Sequence, residues 1–130
     1  MIEIDPFFIL EEEEYEDGDL IFREGSPTDW VYYILEGGVK IQKNTSKGPL
    51  TITTLTEGNF LGEMAFFEKE NVQRSASAMA VGRVKLGVLD RDRLAREYNS
   101  LSPTFRKVIS TLVQRLRHVT AQVTKFASVK

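Results

Sequence analysis

The chain has 130 residues, 42% hydrophobic and 28% charged, which suits one globular domain, 1–130, with a sizeable core. It has no cysteine, which excludes disulfides, thiolate metal sites and cysteine nucleophiles. The net charge of −2 hides an asymmetry, with twelve acids against Arg23 in residues 1–36 and six bases without an acid in residues 103–130.

A basic segment of that kind suits nucleic acid or an anionic membrane. The simpler expectation is that the acidic front and basic back neutralise each other, within one subunit or across a dimer. The start, Met1-Ile2-Glu3-Ile4-Asp5, lacks the basic region and apolar run of a signal peptide, and no apolar stretch is long enough to cross a bilayer. The expected location is cytoplasmic.

In chain order, short apolar runs recur at Phe7–Leu10, Leu20–Phe22, Trp30–Leu35, Val39–Ile41, Leu50–Leu55, Ser77–Val81 and Val84–Leu89. Turn signals separate them: Glu16-Asp17-Gly18-Asp19, Glu24-Gly25-Ser26-Pro27, Glu36-Gly37-Gly38, Ser46-Lys47-Gly48-Pro49 and Thr56-Glu57-Gly58-Asn59. Many short strands between glycine turns predict an antiparallel, mainly β sandwich or barrel over about 7–89. Phe7–Leu10 reads as strand, since Pro6 disfavours a helix before it.

The period then changes, and helices are expected over about 90–128. Asp90 caps a short helix from Arg91 to about Tyr98, and Ser102-Pro103 starts a long one. Along it Phe105, Ile109, Leu112, Leu116, Val119, Val123 and Phe126 are spaced 4, 3, 4, 3, 4, 3, with Val108 and Val113 widening the stripe. That is a two-position heptad seam. It serves either to lay the helix on its own barrel or to pair it with a second copy, and the strict spacing favours a homodimer.

The richest segment is 58–78. Gly62-Glu63-Met64-Ala65-Phe66-Phe67 follows a turn and suits one helical turn, whose first N–H groups would attract an anion. Gly62 permits close approach to the backbone. Arg74 offers a permanently charged fork that matches phosphate oxygens. Ser75 adds a hydroxyl donor, and Ala76 is small enough to let its N–H reach a ligand. Glu63 would be costly to bury unpaired, so a ribose hydroxyl, Arg74 or water should satisfy it.

This segment resembles the phosphate-binding cassette of cyclic nucleotide-binding domains, the family of the catabolite activator proteins and the regulatory subunits of cAMP-dependent protein kinase. Three further stretches carry the resemblance: Tyr15-Glu16-Asp17-Gly18-Asp19-Leu20-Ile21-Phe22-Arg23-Glu24-Gly25, then Tyr33-Ile34-Leu35-Glu36-Gly37-Gly38-Val39-Lys40-Ile41, then Leu55 to Glu63 ahead of Arg74-Ser75-Ala76. The resemblance implies an eight-stranded jelly-roll (double-stranded β-helix) barrel flanked by helices. It implies ligand contacts from Gly62, Glu63, Met64, Ala65, Arg74, Ser75 and Ala76, and places Thr120 against the base with Arg117 one turn earlier. Glu63 would take the ribose and Arg74 the phosphate. The expected ligand is cAMP, with cGMP compatible with Ser75. Two features depart from the family: few residues precede Tyr15, and the span from Glu63 to Arg74 is lengthened through Glu68-Lys69-Glu70-Asn71.

An enzyme is not expected. Metal-dependent jelly rolls need several histidines on strands, and the single histidine, His118, falls in the long helix. No metal site, cofactor or nucleophile motif is read. DNA binding by this chain alone is not expected either. The competing expectation is a degenerate member that keeps the fold as a dimerisation or docking scaffold without nucleotide. In the sensor reading, apolar cassette residues such as Met64 and Phe67 repack against the hinge near Tyr98–Ser102, and an unidentified effector protein reads the movement of the long helix.

Overall fold

The computed structural model describes residues 4–67 and 73–128. Asp5 accepts the Phe7 N–H at 2.9 Å and, with Pro6 after it, starts a single 3-10 turn, Pro6–Phe8. The expected strand at Phe7–Leu10 therefore begins only at Ile9. This first strand, β1 (Ile9–Tyr15), runs on through the acidic residues Glu11 to Glu14, which the apolar-run reading passed over. It lies along one edge of the sheet, paired only to β6, where exposed carboxylates discourage further strand addition.

The remaining elements are β2 (Leu20–Phe22), β3 (Tyr32–Thr45), β4 (Gly48–Leu55), β5 (Phe60–Leu61), α1 (Glu63–Phe67), β6 (Ser77–Leu89), α2 (Arg91–Ser100) and α3 (Pro103–Ser128). They form one antiparallel sheet in the order β1-β6-β3-β4, with β2 added to β6 and β5 to β3. Among the described residues it has six strands, not the eight expected, and no pairing joins β1 to β4 to close a barrel.

Two strands are longer than their apolar runs. Glu36-Gly37-Gly38 does not reverse the chain; β3 passes through it, and the register against β6 shifts at Ile34/Glu36 and again at Glu36/Gly38. Gly37 is required by close approach rather than by a turn. Its φ is +95°, and a Cβ there would stand 2.3 Å from the Arg83 carbonyl oxygen on the facing strand. Likewise β6 joins the runs Ser77–Val81 and Val84–Leu89 through Gly82. Its first half pairs β2 and its second half β1, while β3 lies alongside both.

Ile34, Val39, Leu61, Ala78, Ala80, Val84 and Leu86 fill the centre of the sheet fold, all essentially inaccessible to water. A second cluster, Val31, Tyr33 and Leu89, packs with Phe8, Phe66 and Leu94 and so joins the sheet to α1 and α2. Both helix starts follow the sequence. Asp90 accepts the Arg93 N–H at 3.1 Å, and the Ser102 hydroxyl accepts that of Phe105 at 3.1 Å. The long helix does not lay its seam on the sheet. Phe105, Leu112, Leu116, Val119, Val123 and Phe126 are 46–74% exposed, Ile109 is half-buried, and Val113 is buried.

Ion pairs of the acidic front go to Lys43, Arg83, Lys85, Arg91 and Arg93.

Candidate functional site

Arg74 organises the site. Its backbone is fixed first: the Arg74 N–H donates to the Ser26 carbonyl at 2.9 Å, and its carbonyl accepts from the Gly25 N–H at 2.8 Å. The guanidinium then turns inward and is only 3% exposed. Nε donates to the Thr28 hydroxyl at 3.1 Å, Nη1 to the Gly62 carbonyl at 3.2 Å, and Nη2 to the Trp30 carbonyl at 2.7 Å. Its carbon stands 4.1 Å from the centre of the Phe22 ring, a cation–π contact. These acceptors are neutral, and Arg74 has no ion pair among the described residues. Burial pulls the guanidinium down from its usual value, while Tyr32, Asp29 and Glu63 oppose the shift. An arginine nonetheless stays charged, so a positive charge is held here with its neutralisation unfinished.

Gly62 makes that seat available. Its φ is +78°, and a Cβ would stand 2.2 Å from Arg74 Nη1 and 2.8 Å from the Trp30 carbonyl. Glu63 follows as the first residue of α1. Its carboxyl is held above the ordinary carboxylate range by loss of surrounding water, with its own backbone N–H and Arg74 pulling the other way. The residue is nonetheless exposed at the surface, so solvent is crowded around the carboxyl rather than excluded from it. Neither Glu63 nor Arg74 is ion-paired to the other. Met64 and Ala65 fall within α1, their side chains lie outside the description, and so does the lengthened span Glu68–Asn71.

Gly62, Glu63, Arg74, Ser75 and Ala76 share one cavity of about 260 Å³, near the lower end of roughly 300 Å³ for small-ligand pockets. Thr120 and Leu116 of α3 also line it, so the helix reaches the cavity. The Thr120 hydroxyl donates to the Leu116 carbonyl at 2.9 Å. Arg117 does not line the cavity; its Nη2 donates to the Gln73 carbonyl at 3.5 Å, just before Arg74. The opposite wall is apolar, from Phe22, Ile41, Ile52, Leu55 and Phe60. The sequence did not single out these residues. They sit on strands whose alternation was visible, but the side facing a ligand depends on which strands pair. The signals for Thr28 and Trp30 as hydroxyl and carbonyl partners of Arg74 were absent altogether, because the Thr28 contact spans 46 residues.

The cassette also touches the helices. Phe67 packs edge-on against Tyr98 of α2 with ring centres 5.3 Å apart. A separate cleft of about 590 Å³ lies beside these two rings, bordered by Pro103, Arg106 and Ser110, and contains neither Glu63 nor Arg74. On the other side, Arg91 at the start of α2 pairs with Asp29 and lies 4.9 Å over the Trp30 ring.

Residues 12–100 match the family profile described as cyclic nucleotide-binding domain. The chain is 34% identical over 110 residues to a protein named as a putative potassium channel protein of Rhodopseudomonas palustris, covering 82% of this chain and 25% of that one. It is 30% identical to the cAMP-dependent protein kinase regulatory subunit of Dictyostelium discoideum, covering 82% and 33%. Against the CRP-like cAMP-activated global transcriptional regulator of Mycobacterium tuberculosis the identity is 28%, over 83% and 48%. The chain thus spans less than half the length of these relatives. Among solved structures, the cAMP-bound form of the EAL enzyme Bd1971 superposes with a TM-score of 0.80 at 27% identity, covering 87% of this chain and 30% of that one. Its cGMP-bound form gives 0.75 at 29% identity, over 82% and 28%. With the profile covering most of the chain, from β1 to the end of α2, the protein belongs to the cyclic nucleotide-binding domain family.

Proposed function

We propose that the chain is a regulatory, non-catalytic module that binds a cyclic nucleotide, with cAMP preferred and cGMP admitted. Arg74, Ser75 and Ala76 take the cyclic phosphate, and Glu63 takes the ribose hydroxyl beside Gly62. Ile41, Ile52 and Leu55 support the base, and Leu116 and Thr120 cover it. Met64 and Ala65 join the ribose side through the α1 backbone. The observation that carries this proposal is a buried guanidinium, without an ion pair among the described residues, that shares one partly apolar cavity with Glu63. An anionic diester would complete the charge of Arg74, and the Glu63 carboxylate would accept from the sugar.

In this reading the six strands correspond to the eight segments of the family's jelly roll, β3 and β6 each supplying two on either side of a glycine bend. The exposed seam of α3 forms a homodimer with a second copy, and the hinge at Tyr98–Ser102 passes occupancy to that interface or to an effector protein. The setting is cytoplasmic.

A scaffold without nucleotide is the second reading, and one observation favours it: three guanidinium donors of Arg74 already have protein acceptors. Thermal unfolding with millimolar cAMP separates the two. At 100 times its dissociation constant, a ligand adds about 2.7 kcal/mol of stability. We expect a shift of that order, and none in Arg74→Ala. A wild-type melting curve that ignores cAMP and cGMP would leave the scaffold.

A further inference from the structure

Lys43 is an anomaly of β3. Val39, Ile41 and Lys43 lie two residues apart and so share one face of the strand. Val39 is in the core and Ile41 lines the nucleotide cavity, so a cation closes an inward-facing apolar series. The bulge against β4 does not disturb this, because the skipped residue between the partners Thr51 and Thr53 is on β4. The Lys43 side chain is only 13% exposed. An ammonium in that position is costly unless it is paired and hydrogen-bonded, and its partners reveal its use. Nζ donates to the Ser75 carbonyl at 2.6 Å and reaches Glu24 Oε2 at 3.4 Å. Glu24 is itself braced: Oε1 accepts the Asn44 N–H at 2.9 Å, and its own N–H donates to the Ser77 hydroxyl at 2.8 Å.

The Ser75 carbonyl and the Ala76 N–H belong to one planar trans peptide and therefore point in opposite directions. Ser75 and Ala76 line the cavity, and Lys43 does not. We propose that Lys43 is a positioning residue for the phosphate end of the ligand: by holding the Ser75 carbonyl on the far side, it aims the Ala76 N–H into the cavity at one of the two exocyclic oxygens of the cyclic diester. This rests on the cyclic-nucleotide reading above and adds to it which backbone donor is fixed, and by what.

The two phosphorothioate diastereomers of cAMP test it, since each replaces one exocyclic oxygen with sulfur, a poorer acceptor. Binding of cAMP and of both diastereomers is measured by calorimetry on the full chain, for wild type, Lys43→Met and Lys43→Arg. Loss of one charge-assisted hydrogen bond should lower the cAMP affinity of Lys43→Met about tenfold. The wild-type preference between the diastereomers should shrink in Lys43→Met and persist in Lys43→Arg, which reaches the same carbonyl. A Lys43→Met chain that loses affinity equally for both diastereomers would reduce Lys43 to a structural brace and overturn the inference while leaving the nucleotide site intact. So would unchanged affinities throughout. If wild type binds none of the three ligands, both readings fall. Should Lys43→Met not fold, loss of the preference in Lys43→Arg overturns the inference and its retention supports it.

Discussion

The carboxyl of Glu63 and the guanidinium of Arg74 each lose water in the folded chain, and the two shifts have opposite meaning for stability. For Glu63 the folded value lies above the unfolded one, so between them the native state binds more protons. Its contribution to stability is fully present below the unfolded carboxylate range and is lost as pH rises through the folded value. We therefore expect Glu63→Gln to unfold at higher urea concentration than wild type at neutral pH, with the gap closing as pH falls through the carboxylate range. The same variant should bind cAMP about tenfold more weakly, because a charge-assisted acceptor for the sugar is gone. Calorimetry and urea titration on one preparation check both. A Glu63→Gln chain that binds as well as wild type would remove Glu63 from the ligand's contacts. Legibility differed between these two residues. The glycine, the acid and the arginine could all be read from order and spacing. The burial of Arg74 could not, because its acceptors at Thr28, Trp30 and Gly62 come from separate parts of the chain.

Among the elements, the loop before β3 connects the cavity to the helices. Trp30 gives its carbonyl to Arg74 and its ring to Arg91, and Asp29 pairs with Arg91 at the start of α2. A phosphate that draws Arg74 away from the Trp30 carbonyl would loosen the loop that anchors α2. Such coupling requires that the ligand bind the two arrangements with different affinity. In Arg91→Met, hydrogen exchange over α2 and the start of α3 should lose most of its response to cAMP. Its cAMP affinity should fall less than in Arg74→Ala, since Arg91 does not line the cavity. An undiminished exchange response would place the connection elsewhere, with Phe67 against Tyr98 as the next candidate. The helix starts at Asp90 and Ser102 were legible because a cap is a local contact three residues long. The continuity of β3 through Gly37-Gly38 was not, because a glycine pair marks a turn and a close strand crossing alike.

Considered as one body, the molecule presents an apolar stripe along α3 that its own sheet leaves uncovered. Burial of such a stripe against a copy is the usual source of helix pairing in water. Sedimentation should show a mass that rises with concentration toward the dimer, and Leu112→Glu should hold it at the monomer. Leu112 suits this better than Leu116, which also lines the cavity. Wild type that stays monomeric at every concentration would leave α3 without that role. The more exposed ion pairs of the acidic front, to Arg83, Lys85, Arg91 and Arg93, contribute little here, roughly 0–1 kcal/mol each.

Chain order alone specified the glycine turns other than Glu36-Gly37-Gly38, the two helix caps, the heptad spacing and the succession Gly62-Glu63 then Arg74-Ser75-Ala76. Each is written in backbone conformational preference or in a period of a few residues. Folding in three dimensions settled that Gly37 faces a crossing strand, that Arg74 is buried against neutral carbonyls, that Lys43 grips the Ser75 carbonyl, and that the seam of α3 faces outward. Those outcomes depend on which distant strands become neighbours, and solvent exposure is a property of the neighbours and not of the residue.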